Sequence, residues 1–203
     1  NEFVTAEQIG AAGAMTALLR NAIRPNLVQT SEHTPAFVHA GPFANISHGN
    51  SSVISDLTAL RLADYIVTES GFGSDLGAEK FFNIKCRADG LHPDAEVLVC
   101  TVRALKFHSG RFNVRPGHPL PDSLLHEDLD AMQAGFANLE GHLEHLRAYG
   151  VPLVVAINQF PSDTSAELDL LKTLALESGA ERIALSAAFG HGSEGSLELA
   201  DAV

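Results

Sequence analysis

Residues 151–164 read VPLVVAINQFPSDT. Within them Leu153 to Ile157 is an unbroken apolar run rich in β-branched residues. A strand open to water on one side alternates apolar and polar positions, so a run without alternation reads as a strand covered on both faces, the condition of a parallel sheet. The flanks agree: Gly150-Val-Pro152 stops a preceding helix, and Thr164-Ser-Ala-Glu167 has the form of a capping box that starts the next one. That next helix turns Leu168, Leu171, Leu174 and Ala175 inward. Beyond it, Arg182–Ser186 reads as a further strand and Glu194–Val203 as a final amphipathic helix.

Upstream of the same run, the spacing of Leu125, Leu129, Met132, Phe136, Leu139, Leu143 and Leu146 predicts one continuous helix over residues 124–149. At roughly 1.5 Å per residue it would be near 40 Å long. Its apolar stripe is assigned to the core or to a helix–helix seam. Residues 110–122, GRFNVRPGHPLPD, hold three of the nine prolines. They read as an irregular excursion and not as a linker, because core strands resume on the far side. Further strands are expected at Leu27–Thr30, Pro35–Ala40, Asp64–Glu69 and Ala95–Val102, with helices over 53–63 and from about Leu76 to Arg87. A first helix follows the capping-box pattern Thr5 to Gln8 and carries Ile9, Ala12, Met15, Leu18 and Leu19 on one face. Strands alternating with helices across short connections predict an α/β fold, with a mainly parallel sheet flanked by helices and right-handed crossovers. Residues 1–203 are expected to be a single α/β segment.

Composition bounds the function. The formal charge of -12, from 13 Lys+Arg against 25 Asp+Glu, disfavours a broad nucleic-acid or anionic-membrane surface. Any phosphate would have to be met by a few placed groups. Cys86 and Cys100 are isolated thiols without metal-ligand spacing, which suits a reducing, cytoplasmic setting. No charged start with an apolar signal core is present, and no apolar run reaches the roughly 18 residues that span a bilayer. Opening on Asn1 with words that are already helical, the chain reads as beginning in mid-protein.

In a parallel sheet ligands sit at the carboxyl ends of the strands. Gln29, Thr30, His39, Thr68, Glu69, Thr101, Arg103, Asn158 and Ser186 all fall at such ends. Pro35 to Ser52, PAFVHAGPFANISHGNSS, gives a strand, a polar loop and a helix start, an order that directs free backbone N–H groups at one place. His48 in that loop could donate to an oxyanion or move a proton near neutral pH. His39 is a weaker candidate with a packing role as its alternative. The Gly71-Phe72-Gly73 loop resembles a phosphate cradle but lacks the lysine and hydroxyl of a nucleotide P-loop, and no G-x-x-x-x-G-K-[ST] pattern occurs. Phe160, after the buried strand, and Phe189, after Arg182–Ser186, stand in equivalent places at the crevice mouth. Flat conjugated rings are gripped by such aromatics.

Four words in order carry a resemblance: HAGPFANISHGNSS (39–52), TESGFGSDLGAEKFFNIKCR (68–87), VLVCTVRALKFHSG (97–110) and VVAINQFPSDT (154–164). Together they resemble the formate–tetrahydrofolate ligases over nearly the whole chain, as a central part of such a protein. The resemblance implies a P-loop-NTPase-like family fold whose phosphate loop lies outside these residues. It implies ATP with Mg²⁺ and tetrahydrofolate as ligands, formate as the third substrate, the remainder of the ligase polypeptide as partner, and a homo-oligomer, commonly a tetramer. It places His48 near the formyl phosphate intermediate. It places Gly41, Asn45, Gly71, Phe72, Gly73, Asn158 and Lys106 on loops that meet nucleotide or formyl phosphate, and Phe160 and Pro161 against the pterin; a structural role against carboxylates is the alternative for Arg103 and Lys106. Phe189 stands where the family has Trp, Ser109 where it has Gly, and Cys100 where it has a smaller residue. Two classes stay open: a partial enzyme, inactive alone and competent when joined to its nucleotide loop, or a non-catalytic folate- or partner-binding module that retains the fold.

Overall fold

The computed structural model describes residues 3–39 and 48–203. It divides into two compact units, residues 1–90 and 91–203.

The first unit begins with α1 (Ala12–Leu19). Ahead of it Thr5 N donates to Gln8 Oε1 at 2.8 Å and Gln8 N to Thr5 Oγ1 at 3.3 Å, but this box closes a turn and does not start the helix as expected, since α1 begins at Ala12 without a side-chain cap. Strands β1 (Asn26–Gln29) and β2 (Pro35–Val38) then pair antiparallel, Asn26 opposite Val38 and Gln29 opposite Pro35. Both are mostly exposed, so the buried parallel strand expected at Pro35–Ala40 is corrected to one arm of a hairpin. The reason is chain length: a parallel return needs a crossover of a dozen or more residues, whereas the five residues between Gln29 and Pro35 allow only a turn. His33 in that turn takes the left-handed backbone, φ 67°.

Helix α2 (Val53–Ala59) starts at Ser52, whose side chain accepts from Ser55 N. Residues 64–69 form no strand, a second correction, and Tyr65 and Val67 lie exposed. Among the described residues no strand lies beside them to take up their backbone groups, and an apolar run without a neighbour cannot form a ladder. Helix α3 (Ser74–Lys80) continues through a π-helical turn, Phe81–Cys86, into α4 (Arg87–Asp89), and Gly90 closes it at φ 73°. The interior here is largely polar: Asn50, Ser55, Asp56 and Lys85 are buried, with Lys85 Nζ paired to Asp56 Oδ2.

The second unit is the α/β body. Strands β3 (Glu96–Cys100), β4 (Leu153–Asn158) and β5 (Arg182–Ser186) form a parallel sheet in the order β3-β4-β5. Registers run from Glu96 opposite Leu153 to Cys100 opposite Ile157, and from Val154 opposite Arg182 to Asn158 opposite Ser186. The central strand is buried from Leu153 to Ile157, as its lack of alternation predicts.

Between β3 and β4 run α5 (Val102–His108), α6 (Asp122–Leu125) and α7 (Leu129–Arg147). The single helix expected over 124–149 is thus two. Asp128 restarts the helix by accepting from Ala131 N at 2.8 Å, while His126 is extended. The carbonyl so freed at His126 accepts from Lys106 Nζ at 2.8 Å, and Asp128 N donates to Glu167 Oε1 at 3.1 Å. A buried ion pair therefore holds the break open, and α7, with 19 residues, is near 28 Å long at about 1.5 Å per residue.

Met132, Leu139, Leu143 and Leu146 of α7 are buried as expected, whereas Leu129 is exposed. Gly135 lies where α5 crosses α7: a Cβ there would land on the Leu105 carbonyl oxygen. Helix α8 (Ser165–Glu177) carries the expected capping box, with Thr164 Oγ1 and the Glu167 side chain exchanging backbone bonds. After β5 come α9 (Ala188–His191), a 3-10 turn (Gly192–Ser196) and α10 (Leu197–Ala202). Among the described residues no helix is long and apolar enough to cross a membrane.

Candidate functional site

The carboxyl ends of β3, β4 and β5 gather the second unit's polar groups. At the end of β3, the Thr101 side chain accepts from Ala104 N at 3.1 Å and starts α5, placing Arg103 in the first helical turn. At the end of β4, half-buried Asn158 pairs in register with Ser186. Gln159 N extends that ladder by donating to Ser186 O at 2.9 Å. The chain then closes a turn on itself: Phe160 N donates to Asp163 Oδ2 at 2.8 Å, and Asp163 N donates to Phe160 O at 3.0 Å. Phe160 is thereby fixed at the sheet's edge by its own backbone, with its ring half-buried and Pro161 exposed beside it.

One face of that ring is occupied. The Arg103 guanidinium carbon lies 3.5 Å from the ring centroid, a close cation–π stack. Burial pushes the Asp163 carboxyl up from its ordinary value, against the opposing pull of the Phe160 N–H and of the Arg103 and Lys106 charges. Phe189, three residues past the end of β5, projects from α9 and is 99% exposed. A Cβ on Gly195 would press on the Ala187 carbonyl, and Ala187 N donates to Gly195 O at 2.9 Å, so the α9 loop returns tightly on itself.

Lys106 sits elsewhere, one turn deeper than Arg103. It is 2% exposed, with Nζ 2.8 Å from Glu167 Oε1. Burial raises the Glu167 carboxyl, but the hydrogen bonds from Lys106 and from the Thr164 and Asp128 N–H groups outweigh it and hold the group below the ordinary carboxylate range. With its ammonium committed to Glu167 and the His126 carbonyl, buried Lys106 ties the end of α5 to the starts of α7 and α8. Arg103, in the first turn after β3, is the basic side chain that lies against Phe160. The sequence carried the signal: with Thr101 as the helix cap, the basic residue nearest the sheet's edge is 103, not 106.

In the first unit two of the expected loops lie together. Gly71 N donates to Gly49 O at 2.9 Å, and buried Asn50 donates from Nδ2 to Glu69 O at 3.3 Å and to Ser70 Oγ at 3.1 Å. His48 therefore adjoins a segment stitched to the Gly71-Phe72-Gly73 loop. Phe72 has φ 65° and is 69% exposed, a left-handed backbone that costs a bulky residue free energy and is retained where surrounding structure imposes it. Gly77 secures the loop from below, since a Cβ there would meet the Gly71 carbonyl oxygen. His39 has both ring nitrogens engaged, Nδ1 with Ser52 Oγ at 2.6 Å and Nε2 with Ala22 O at 2.7 Å, which is the packing alternative. Gly41 and Asn45 lie outside the described residues. Among the described residues no cluster of three or more His, Cys, Asp or Glu side chains is placed to hold a metal ion.

Comparison with known proteins gives this geometry a family. The family model described as formate–tetrahydrofolate ligase matches residues 1–203. The chain belongs to the formate–tetrahydrofolate ligase family. It is similar to the formate–tetrahydrofolate ligase of Aeromonas hydrophila, with 60% identity over 200 residues, covering 98% of this chain and 35% of that protein. Against the enzyme of Saccharopolyspora erythraea identity is 57%, with the same coverage of both chains. Against that of Chloroflexus aurantiacus it is 54% over 197 residues, 97% of this chain and 34% of the relative. The chain thus spans about a third of the length of the curated relatives it matches.

Proposed function

We propose that these residues are the folate-holding segment of an ATP-dependent formate–tetrahydrofolate ligase. In that reaction a formate oxygen attacks the γ-phosphorus of ATP and ADP leaves. Tetrahydrofolate N10 then attacks the formyl carbon, and inorganic phosphate departs to leave 10-formyltetrahydrofolate. Both steps depend on placing charged reactants against fixed donors, so a protein contributes mostly orientation and charge stabilisation. The observation that carries the reading is Phe160, fixed by a doubly bonded turn at the carboxyl end of the parallel sheet, where α/β proteins hold ligands. Its ring is assigned as the platform for the pteridine ring, on the face away from Arg103, with Pro161 alongside and Phe189 supplied by the neighbouring strand end.

His48 and the Gly71-Phe72-Gly73 loop are assigned to the acyl phosphate, the imidazole donating to an oxygen that gains charge as N10 attacks. Mg²⁺ would neutralise the nucleotide phosphates. The described residues do not assemble a donor set for it, so that role is assigned to the remainder of the polypeptide, together with the phosphate loop. The oligomer and the cytoplasmic setting expected from the resemblance belong to the same proposal.

The test is steady-state kinetics of the intact ligase. Phe160→Leu keeps an apolar side chain and removes the flat ring. It is expected to raise KM for tetrahydrofolate about ten-fold, since an aromatic stack contributes roughly 0.5–1.5 kcal/mol beyond area burial, while KM for ATP moves less than two-fold. A tetrahydrofolate KM within two-fold of wild type would remove Phe160 from the folate site.

A further inference from the structure

The guanidinium on Phe160 is unusual for what it lacks. Arg103 makes no hydrogen bond or ion pair with any described residue. Its Nε is buried without an acceptor, and its guanidinium carbon lies over the Phe160 ring face at 3.5 Å. Arginine stays charged at any pH a protein meets and carries five donors in a planar fork shaped for carboxylate or phosphate. A half-buried guanidinium held only by an aromatic face has lost part of its hydration and has gained no acceptor in return. A buried polar group left in this condition calls for an explanation, and a functional role toward a ligand is one of those open to it. Other basic side chains of the unit do find acceptors: Lys106 pairs with Glu167, Arg111 with Asp128, and Arg182 donates to the Asp201 carbonyl.

The place is also suitable. Arg103 stands in the first turn after β3, against the Phe160–Asp163 turn after β4, at the carboxyl end of the sheet. The ring fixes the guanidinium plane, so little side-chain freedom is left to lose when a ligand binds. Asp163 lies close enough for the Arg103 charge to act on it, yet its Oδ2 accepts from the Phe160 N–H and closes the turn.

We propose that Arg103, stacked on Phe160, is the oxyanion receptor of this crevice, taking a carboxylate or phosphate group of a bound substrate. The same fork would suit two sources: the glutamate tail of a folate whose ring lies on the opposite face of Phe160, or the phosphate of the acyl phosphate partner. The first source rests on the folate reading of Phe160; the second does not. In either case the phenyl ring works from both sides, one face orienting the cation and the other left for a flat ligand.

Equilibrium titrations of the intact ligase test this with three probes: inorganic phosphate, tetrahydrofolate with its glutamate tail, and a tetrahydropterin without the tail. Arg103→Met keeps an apolar stem over the ring, and Arg103→Lys keeps a charge without the planar fork. Arg103→Met is expected to weaken one oxyanion-bearing probe about ten-fold or more, the scale of a charge-assisted hydrogen bond, with Arg103→Lys intermediate and tailless pterin binding unchanged. Loss confined to phosphate identifies the phosphoryl source, and loss of the preference for tetrahydrofolate over the tailless pterin identifies the tail. Phosphate affinity and folate-to-pterin preference both within two-fold of wild type in Arg103→Met would overturn the proposal. Phe160→Leu separates the two readings: unchanged tailless pterin binding would end the folate platform, while the phosphate titration would still judge Arg103.

Discussion

Glu96 begins β3 with its carboxyl pushed up from the ordinary 4.5 to about 7 by burial, and its Oε1 has no hydrogen-bond partner. The folded protein therefore holds this proton more tightly than the unfolded chain. The contribution of Glu96 to stability is greatest below the ordinary carboxylate range, falls as pH climbs from about 4.5 toward about 7, and levels off above that. Glu96→Gln removes the titration. The variant is expected to melt higher than wild type at pH 8 and with it at pH 4, and an equal difference at both pH values would contradict the assignment. None of this was legible in sequence, where a glutamate at a strand start is unremarkable. Phe160 was legible, because a buried strand followed by a turn fixes where the next aromatic stands. Arg103 was half legible: of the two roles open to the basic residues of its word, ligand or carboxylate partner, Lys106 takes the second, buried against Glu167.

Elements were legible where local spacing decides them and illegible where a distant partner does. The β4 run and the capping box of α8 depend on residues within a few positions, and both formed as read. The strand expected at Asp64–Glu69 needed a neighbour that the described residues do not provide. The long helix was misread because its stripe continues across His126–Asp128, while the break depends on Lys106 and Glu167, far away in sequence. That pair is a strong test of the element scale. Lys106→Met leaves a buried carboxylate without its cation, which is expected to cost about 3 to 5 kcal/mol, read from the shift in denaturant midpoint. A shift under about 1 kcal/mol would mean that the pair is not the tie between α5, α7 and α8. Because the Glu167 carboxyl is held below its ordinary range, its contribution is present above that range and is lost as pH falls through the depressed value. Gly135→Ala probes the α5–α7 crossing directly. A methyl group against the Leu105 carbonyl must part the helices, at a cost of about 3 kcal/mol, and an unchanged midpoint would show that the crossing has room.

For the whole molecule, the family match fixes what kind of protein these residues come from, and the carboxyl end of the sheet is the proposed seat of a ligand. Both units expose apolar residues, Tyr65 and Val67 in one, Val97 and Val99 along β3 in the other, in a chain about a third as long as its curated relatives. The crevice side of β3–β5 differs from those surfaces in carrying placed polar groups around one anchored ring. That ring is the point to observe. A 4-fluorophenylalanine label at position 160 of the intact ligase, followed by ¹⁹F NMR during titration with tetrahydrofolate, reports directly on a pteridine stacked against it. A ring-current shift that saturates with folate occupancy is the predicted result; a resonance that stays in place while folate binds would contradict the account.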